Sequence, residues 1–135
     1  AMGASQAQLL KAMTEAEAHP GPSIVIAYAP CVAHGVKPAG LRKAQDEEKK
    51  AVECGYWSLY RYNPALEAEG KNPFVLDSKA PNFEKYSDFL KGEVRYATLH
   101  GSFPEEAKRL ASIAVDDAKW RHDNYRRLAE MDYSK

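Results

Sequence analysis

The residues best suited to chemistry follow one short apolar run. Cys31, a thiol, and His34, an imidazole, come soon after Ile-Val-Ile-Ala-Tyr at positions 24–28, and Gly35 follows them. In open α/β sheets, ligands lie against the loops that leave the carboxyl ends of the strands. A single cysteine in such a loop is either a small core residue or one ligand of a site that is completed elsewhere.

No other motif in the sequence completes an active site. The second cysteine, Cys54, is too distant along the chain to make a CxxC motif, and the four histidines are scattered without metal-ligand spacing. Cys54 falls in the last turn of a predicted helix, where we expect a buried small residue. Asp77 and Lys79 belong to a predicted turn, and we expect them to stabilise it rather than to act in catalysis.

Charge and composition exclude several classes of protein. The 135 residues contain 19 basic and 19 acidic side chains, so the formal net charge is zero, and neither nucleic acid nor an acidic membrane is an expected partner. No apolar run is long enough to cross a bilayer, and the start of the sequence lacks the pattern of a signal peptide. With two cysteines and no disulfide framework, the sequence indicates one domain in a reducing, intracellular setting.

The pattern around the apolar run predicts an α/β fold. Ser5 can cap a helix that ends near His19, because Pro20 disfavours helical geometry in the residue before it. The run 24–28 then suits a strand buried on both faces of a parallel sheet covered by helices. Helix, tight loop and strand would form the second half of a βαβ unit whose first strand is absent.

The rest of the chain alternates between helical and extended patterns. The pattern predicts a helix over 41–54 ended by Gly55, an aromatic strand over 56–62, an edge strand at 74–76, a helix over 83–99 and a long helix over 103–131. Ser-Phe-Pro-Glu at 102–105 matches a capping box, which would begin the long helix. Leu110 falls on the apolar stripe of that helix.

Six segments, in the same order, resemble the C-terminal region of the pyruvate:ferredoxin (flavodoxin) oxidoreductase family. They are Ile-Ala-Tyr-Ala-Pro-Cys-Val-Ala-His-Gly at 26–35, Ala-Val-Glu-Cys-Gly-Tyr-Trp at 51–57, Leu-Tyr-Arg-Tyr-Asn-Pro at 59–64, Gly-Lys-Asn-Pro-Phe at 70–74, Leu-Asp-Ser-Lys-Ala-Pro at 76–81 and Gly-Glu-Val-Arg-Tyr at 92–96. The similarity continues more loosely through the terminal helix. Several motifs in register make the resemblance specific.

The resemblance implies a fold and an activity. It implies the C-terminal part of a thiamine-diphosphate-binding fold, with 1–64 as the second half of that domain and 65–135 as its loop-rich and helical extension. Enzymes of this family decarboxylate pyruvate on thiamine diphosphate with Mg²⁺ and give the acetyl group to coenzyme A. The electrons pass through [4Fe–4S] clusters to ferredoxin or flavodoxin. The full enzyme is expected to be a homodimer in the cytoplasm, or in an anaerobic organelle.

The same resemblance assigns one site residue. The family's Pro-Cys-x-x-His-Gly segment carries the fourth cysteine ligand of the cluster nearest the thiamine, and it maps onto Cys31. The Gly-Asp-Gly motif that holds thiamine diphosphate and Mg²⁺ is absent from this sequence, as are the other three ligands, so we expect a fragment that is inactive alone. His34 would shape the loop or form a hydrogen bond near the cluster.

Two other interpretations of Cys31 remain open from the residues themselves. The chain could be a structural or interaction module in which Cys31 is a core thiol. Alternatively, Cys31 could be a redox-sensing thiol, which requires exposure and a low pKa.

Overall fold

The computed structural model describes residues 1–31 and 40–134 of the chain. Its helices are α1 (Gln6–Ala18), α2 (Ala44–Glu53), α3 (Ala65–Ala68), α4 (Tyr86–Gly92), α5 (Val94–Ser102) and α6 (Pro104–Ala129). Two short strands, β1 (Tyr60–Tyr62) and β2 (Phe74–Leu76), and two 3₁₀ turns, Gly40–Lys43 and Phe83–Lys85, complete the set. The described residues therefore combine a mainly helical body with a small sheet and one long C-terminal helix.

The first residues of the chain run parallel to the segment that ends at Tyr28. The Tyr28 N–H donates to the Ala1 carbonyl oxygen at 2.9 Å, and the amino terminus of Ala1 donates to the Ile26 carbonyl oxygen at 2.9 Å. Helix α1 connects the two segments, beginning after Ser5 and ending before His19 as predicted. Met2 and Tyr28 form one isolated parallel bridge, and the described residues contain no β-strand before α1.

The burial predicted for the run 24–28 is not observed. Ile24 is 83% exposed and Ile26 is 62% exposed, and Tyr28 is the residue of this run that forms a bridge. A strand of a parallel sheet is buried because it pairs with a neighbouring strand and because helices cover both faces of the sheet. In the part of the chain that the structure describes, Ala1 and Met2 are the backbone partners of this run, so its apolar side chains remain in solvent.

The sheet that does form is antiparallel. Strands β1 and β2 pair Tyr60 with Leu76, Arg61 with Val75 and Tyr62 with Phe74. Side chains alternate as in a strand from Leu59 to Tyr62, since Leu59 is buried and Arg61 half-buried while Tyr60 and Tyr62 are exposed. The alternation expected of the whole aromatic segment does not extend to Tyr56 and Trp57, which both contact Tyr28. The strand is shorter than predicted, because the residues before Ser58 bend away to join the core.

The apolar core lies between α2, α4 and α6. Its buried members are Ala51, Cys54, Tyr86, Phe89 and Ala118. Helix α2 ends as predicted, because the next turn places Gly55 at a φ of +84°, where a side chain would be strained. The prediction of a buried Cys54 is confirmed as well.

The helix predicted over 83–99 is broken at Glu93. This residue separates α4 from α5 with an extended backbone (φ −90°, ψ 120°). Gly92, the last residue of α4, packs against the buried carboxyl group of Glu47, and a Cβ atom there would lie 2.6 Å from Glu47 Oε1. The close approach of α2 to this point explains why a glycine stands before the break.

The capping box predicted at 102–105 is wrong. Ser102 is the last residue of α5, and Phe103 precedes α6 without a side-chain hydrogen bond to its first turn. Pro104 does occupy the first turn, where its missing N–H is tolerated. Although α6 has 26 residues, neither it nor another helix of the described residues is apolar enough to cross a membrane.

Arg61 of β1 forms ion pairs with both Glu15 of α1 and Asp77, and these connect α1 to the sheet. The Arg61 guanidinium donates to both Asp77 carboxylate oxygens, at 2.8 and 2.9 Å, and to both Glu15 carboxylate oxygens, at 2.5 and 2.6 Å. Gln8 of α1 also donates to Asp77, at 3.0 Å. Helix α1 has no fully buried residue, so these charge-assisted bonds contribute substantially to holding it in place. Asp77 therefore links α1 to β1, in addition to its place in the turn.

We expect Ala118→Asp to lower the free energy of unfolding by about 3 kcal/mol or more, because it places an unpaired carboxylate among buried side chains. Leu110→Asp should cost only about 1 kcal/mol. Leu110 is 40% exposed, whereas Ala118 is fully buried, so the apolar contact predicted for Leu110 is only partial. Urea unfolding followed by circular dichroism measures both. An equal cost for the two variants would contradict this packing of α6.

We expect Asp77→Asn to destabilise the chain by about 1–2 kcal/mol at pH 7, because it weakens the hydrogen bonds from Arg61. Burial pushes the pKa of the Asp77 carboxyl up, but the bonds from Arg61 and Gln8 outweigh it and leave the pKa below its usual value. The ionised carboxyl therefore stabilises the fold above the unfolded pKa of about 3.9. This contribution disappears as the pH falls through the lower, folded pKa.

The difference in stability between the wild type and Asp77→Asn should therefore shrink below about pH 4. Asp88→Asn is the matched control, since Asp88 is 79% exposed in its pair with Lys91 and should matter little. Unfolding curves at several pH values decide the matter. If the stability difference between the wild type and Asp77→Asn persists unchanged in strong acid, the ionised Asp77 carboxyl does not stabilise the fold through Arg61.

Candidate functional site

Cys31 is an exposed free thiol. It lies three residues beyond the parallel bridge at Tyr28, after Ala29 and the half-buried Pro30. The two other residues singled out in this loop, His34 and Gly35, lie outside the described residues. Among the described residues, the last backbone hydrogen bond before this thiol is the one at Tyr28.

The Tyr28 side chain is held by two aromatic neighbours. Its ring centroid lies 5.5 Å from that of Trp57 and 6.1 Å from that of Tyr56, the latter in an edge-on arrangement. Burial, followed by the negative charge of Glu93, raises the pKa of the Tyr28 phenol well above its usual value. The Tyr28 side chain is therefore uncharged at neutral pH, and its ring contacts hold this part of the segment against Tyr56 and Trp57.

Tyr56 is in turn fixed by the C-terminal helices. Arg95 of α5 donates to the Tyr56 hydroxyl at 2.8 Å, and the Tyr56 and Tyr96 hydroxyls are hydrogen-bonded at 3.0 Å. Arg121 of α6 donates to the Tyr56 carbonyl oxygen at 3.1 Å. The ring of Phe89 in α4 lies 4.7 Å from the ring of Tyr56. Three helices thus determine where this ring lies.

A cleft of about 940 Å³ opens between α1, the exposed run and this aromatic group. Its walls carry several tyrosines and three arginines, of which Arg61 is neutralised by its ion pair with Glu15 and Asp77. Within the described residues, no group of three His, Cys, Asp or Glu side chains is placed to hold a metal ion. These side chains can stack and form hydrogen bonds, but they do not assemble a metal centre by themselves.

Cys54 occupies the opposite environment to Cys31. It is fully buried, and its thiol donates to the Ala51 carbonyl oxygen at 3.6 Å. Burial raises the pKa of the Cys54 thiol, so it carries less thiolate at neutral pH than an ordinary cysteine. Of the two cysteines, Cys31 is the one that is exposed in this chain and therefore open to a group outside it.

Sequence reasoning did not find that Tyr28 and Tyr56 meet. The sequence predicts a strand over the aromatic residues of 56–62 but names no partner for their rings. A signal was present, because Tyr28 is the one aromatic residue of the run that precedes Cys31. A contact across this separation is nevertheless invisible to local patterns.

We expect a thiol reagent to modify one cysteine of the folded chain quickly and the second only on unfolding. The fast group should be Cys31, because it is exposed, while Cys54 is buried with a raised pKa. Titration with an aromatic disulfide reagent measures this, with Cys31→Ser and Cys54→Ser as paired controls. Fast modification that survives in Cys31→Ser would contradict the placement of both thiols.

Comparison with known proteins identifies related enzymes. The chain is 55% identical over 130 residues to a pyruvate:ferredoxin oxidoreductase of Moorella thermoacetica and 58% identical over 129 residues to a pyruvate-flavodoxin oxidoreductase of Klebsiella pneumoniae. Each match covers 96% of this chain and 11% of the relative. It is also 42% identical over 128 residues to a mitochondrial pyruvate dehydrogenase [NADP(+)] of Euglena gracilis, covering 93% of this chain and 7% of the relative.

No family model matches the chain. The curated relatives nevertheless match nearly all of it at high identity, and they confirm the resemblance found in its motifs. The chain spans only about 11% of the length of these two oxidoreductases. It is therefore homologous to one segment of the pyruvate:ferredoxin and pyruvate-flavodoxin oxidoreductases.

Proposed function

We propose that this chain forms part of a 2-oxoacid oxidoreductase acting on pyruvate, the parent enzyme, and that Cys31 provides one thiolate ligand to a [4Fe–4S] cluster. The observation that carries the proposal is an exposed thiol at the end of an anchored segment. The chain that presents it is 50–58% identical to named pyruvate:ferredoxin and pyruvate-flavodoxin oxidoreductases.

The donor atoms of the chain fit one part of such a site. A [4Fe–4S] cluster is held by four cysteine thiolates. Cys31 is exposed and can reach a group bound by another part of the protein, whereas Cys54 is enclosed in the core. The chain would thus supply one ligand, and the remainder of the parent enzyme would supply three. When bound, the cluster accepts and passes on single electrons.

The other components belong to the rest of the parent enzyme in this proposal. Thiamine diphosphate with Mg²⁺, pyruvate and coenzyme A would bind there, and no residue described above is assigned to them. Ferredoxin or flavodoxin would receive the electrons, as the names of the relatives indicate for those proteins. The chain alone would be inactive, and the parent enzyme would be a homodimer of the cytoplasm or an anaerobic organelle.

The exposed run supports a proposal about the fold of the parent enzyme. Ile24, Val25 and Ile26 are apolar on successive positions, which suits a strand enclosed on both faces. The parallel pairing of Tyr28 with Met2 gives the direction of such a sheet. We infer that 24–28 is a strand of the parallel sheet of the thiamine-binding domain, with 1–64 in that domain and 65–135 as its extension.

We expect Cys31→Ser in the parent enzyme to lose iron from one cluster and to alter the low-temperature EPR spectrum after reduction with pyruvate and coenzyme A. A hydroxyl is a harder and much less acidic ligand than a thiol, so it holds iron poorly. Binding of pyruvate and thiamine diphosphate should persist, because Cys31 takes no part in it in this proposal. Electron transfer to the carrier should slow greatly or stop.

Cys54→Ser is the matched control for this experiment. It changes the same atom in the same chain, but at a buried position that faces the Ala51 carbonyl oxygen. It should keep all the iron and the wild-type spectrum, at some cost in stability. If Cys31→Ser keeps its iron while Cys54→Ser loses a cluster, the ligand has been assigned to the wrong thiol.

A further inference from the structure

The geometry points to Tyr28 as a positioning residue for the Cys31 thiol. Its ring, packed between Tyr56 and Trp57, fixes the backbone from which Cys31 extends. This inference rests on the proposed role of Cys31 as a cluster ligand. It adds a residue that does not touch the cluster itself but determines where the ligand lies.

Only two residues separate Tyr28 from Cys31, so the position of Tyr28 restricts the position of the thiol. The Tyr28 N–H bonds to the Ala1 carbonyl oxygen, and among the described residues no hydrogen bond involves Ala29, Pro30 or Cys31. Three residues span at most about 10 Å, and Pro30 narrows their conformations further. Among the described residues, Tyr28 is therefore the nearest residue before Cys31 that is held by both a backbone hydrogen bond and ring contacts, and the short connection limits how far from it the thiol can lie.

The neighbours of the Tyr28 ring are themselves held firmly. Trp57 donates its backbone N–H to the Ala51 carbonyl oxygen at 3.0 Å, which ties it to α2. Tyr56 is bonded by Arg95 from α5 and by Arg121 from α6. Through its contact with Tyr56, the Tyr28 ring thus connects the segment that carries Cys31 to helices α5 and α6.

In this inference, Tyr28 acts through the contacts of its aromatic ring. The pairs with Tyr56 and Trp57 have tilted or edge-on geometries at 5.5–6.1 Å, in the range where aromatic rings attract one another. Phenylalanine keeps both contacts, while alanine loses both and leaves a gap beside the core. The role therefore predicts rescue by phenylalanine and not by alanine.

The test uses the parent enzyme with four variants: Tyr28→Ala, Tyr28→Leu, Tyr28→Phe and Tyr62→Ala. Tyr62 is the matched control, a tyrosine 60% exposed in β1 that has no ring contact with Tyr28. The cluster signal to follow is the part of the EPR spectrum that Cys31→Ser removes. Each variant is challenged with an iron chelator, and thermal unfolding checks that it folds.

We expect Tyr28→Ala to lose that signal about tenfold faster than the wild type under the chelator, which is the lower end of the effect of removing groups that orient metal ligands directly. Its EPR line shape should also change before any iron is lost. Tyr28→Leu keeps apolar volume but has no ring, and it should show the same faster loss and altered line shape. It serves as the test variant if Tyr28→Ala fails to fold. Tyr28→Phe and Tyr62→Ala should match the wild type.

The outcomes separate this inference from the proposed function. If Cys31→Ser abolishes the signal while Tyr28→Ala and Tyr28→Leu keep wild-type spectra and chelator resistance, the inference is wrong and the ligand assignment stands. If Tyr28→Phe is as damaging as Tyr28→Ala, the ring contacts are not what positions the thiol. If Cys31→Ser retains every cluster signal, the proposed function fails, and this inference fails with it.

Discussion

The ring of Tyr56 makes the contacts on which the rest of this chain depends. It lies 4.7–6.4 Å from the rings of Tyr28, Tyr86, Phe89 and Tyr96, which come from three separate stretches of sequence. Aromatic side chains contribute much apolar area at little cost in conformational entropy, which matters in a chain with few fully buried residues. The helices α4 and α5 and the N-terminal segment therefore share one packing centre.

Features that depend on neighbouring residues could be predicted from the sequence. Helix α1 ends before Pro20 because proline restricts the residue before it, and Gly55 ends α2 because it tolerates a positive φ. The alternation of Leu59 and Arg61 with exposed tyrosines follows from the period of a strand. The burial of Cys54 followed from its place in the last turn of a helix.

Features set by distant residues could not be predicted. The break at Glu93 depends on the approach of α2 to Gly92, and the run 24–28 is exposed because the described residues offer it few partners. For the candidate site, spacing left Cys31 ambiguous between a core thiol and a ligand. Its exposure in this chain is what the ligand interpretation requires, and the packing of Tyr28 on Tyr56 depends on residues that are far apart in sequence.

The run Ile24-Val25-Ile26 makes the separated chain prone to aggregation. Its β-branched side chains are 83, 40 and 62% exposed, and no charged residue lies between Ser23 and Cys31 to discourage pairing with another molecule. Open backbone groups on such a segment act as a template for intermolecular β-structure. Pro22 and Pro30 bound the segment and limit its length. The apolar sequence that suits an interior strand thus favours association between molecules when it lies in solvent.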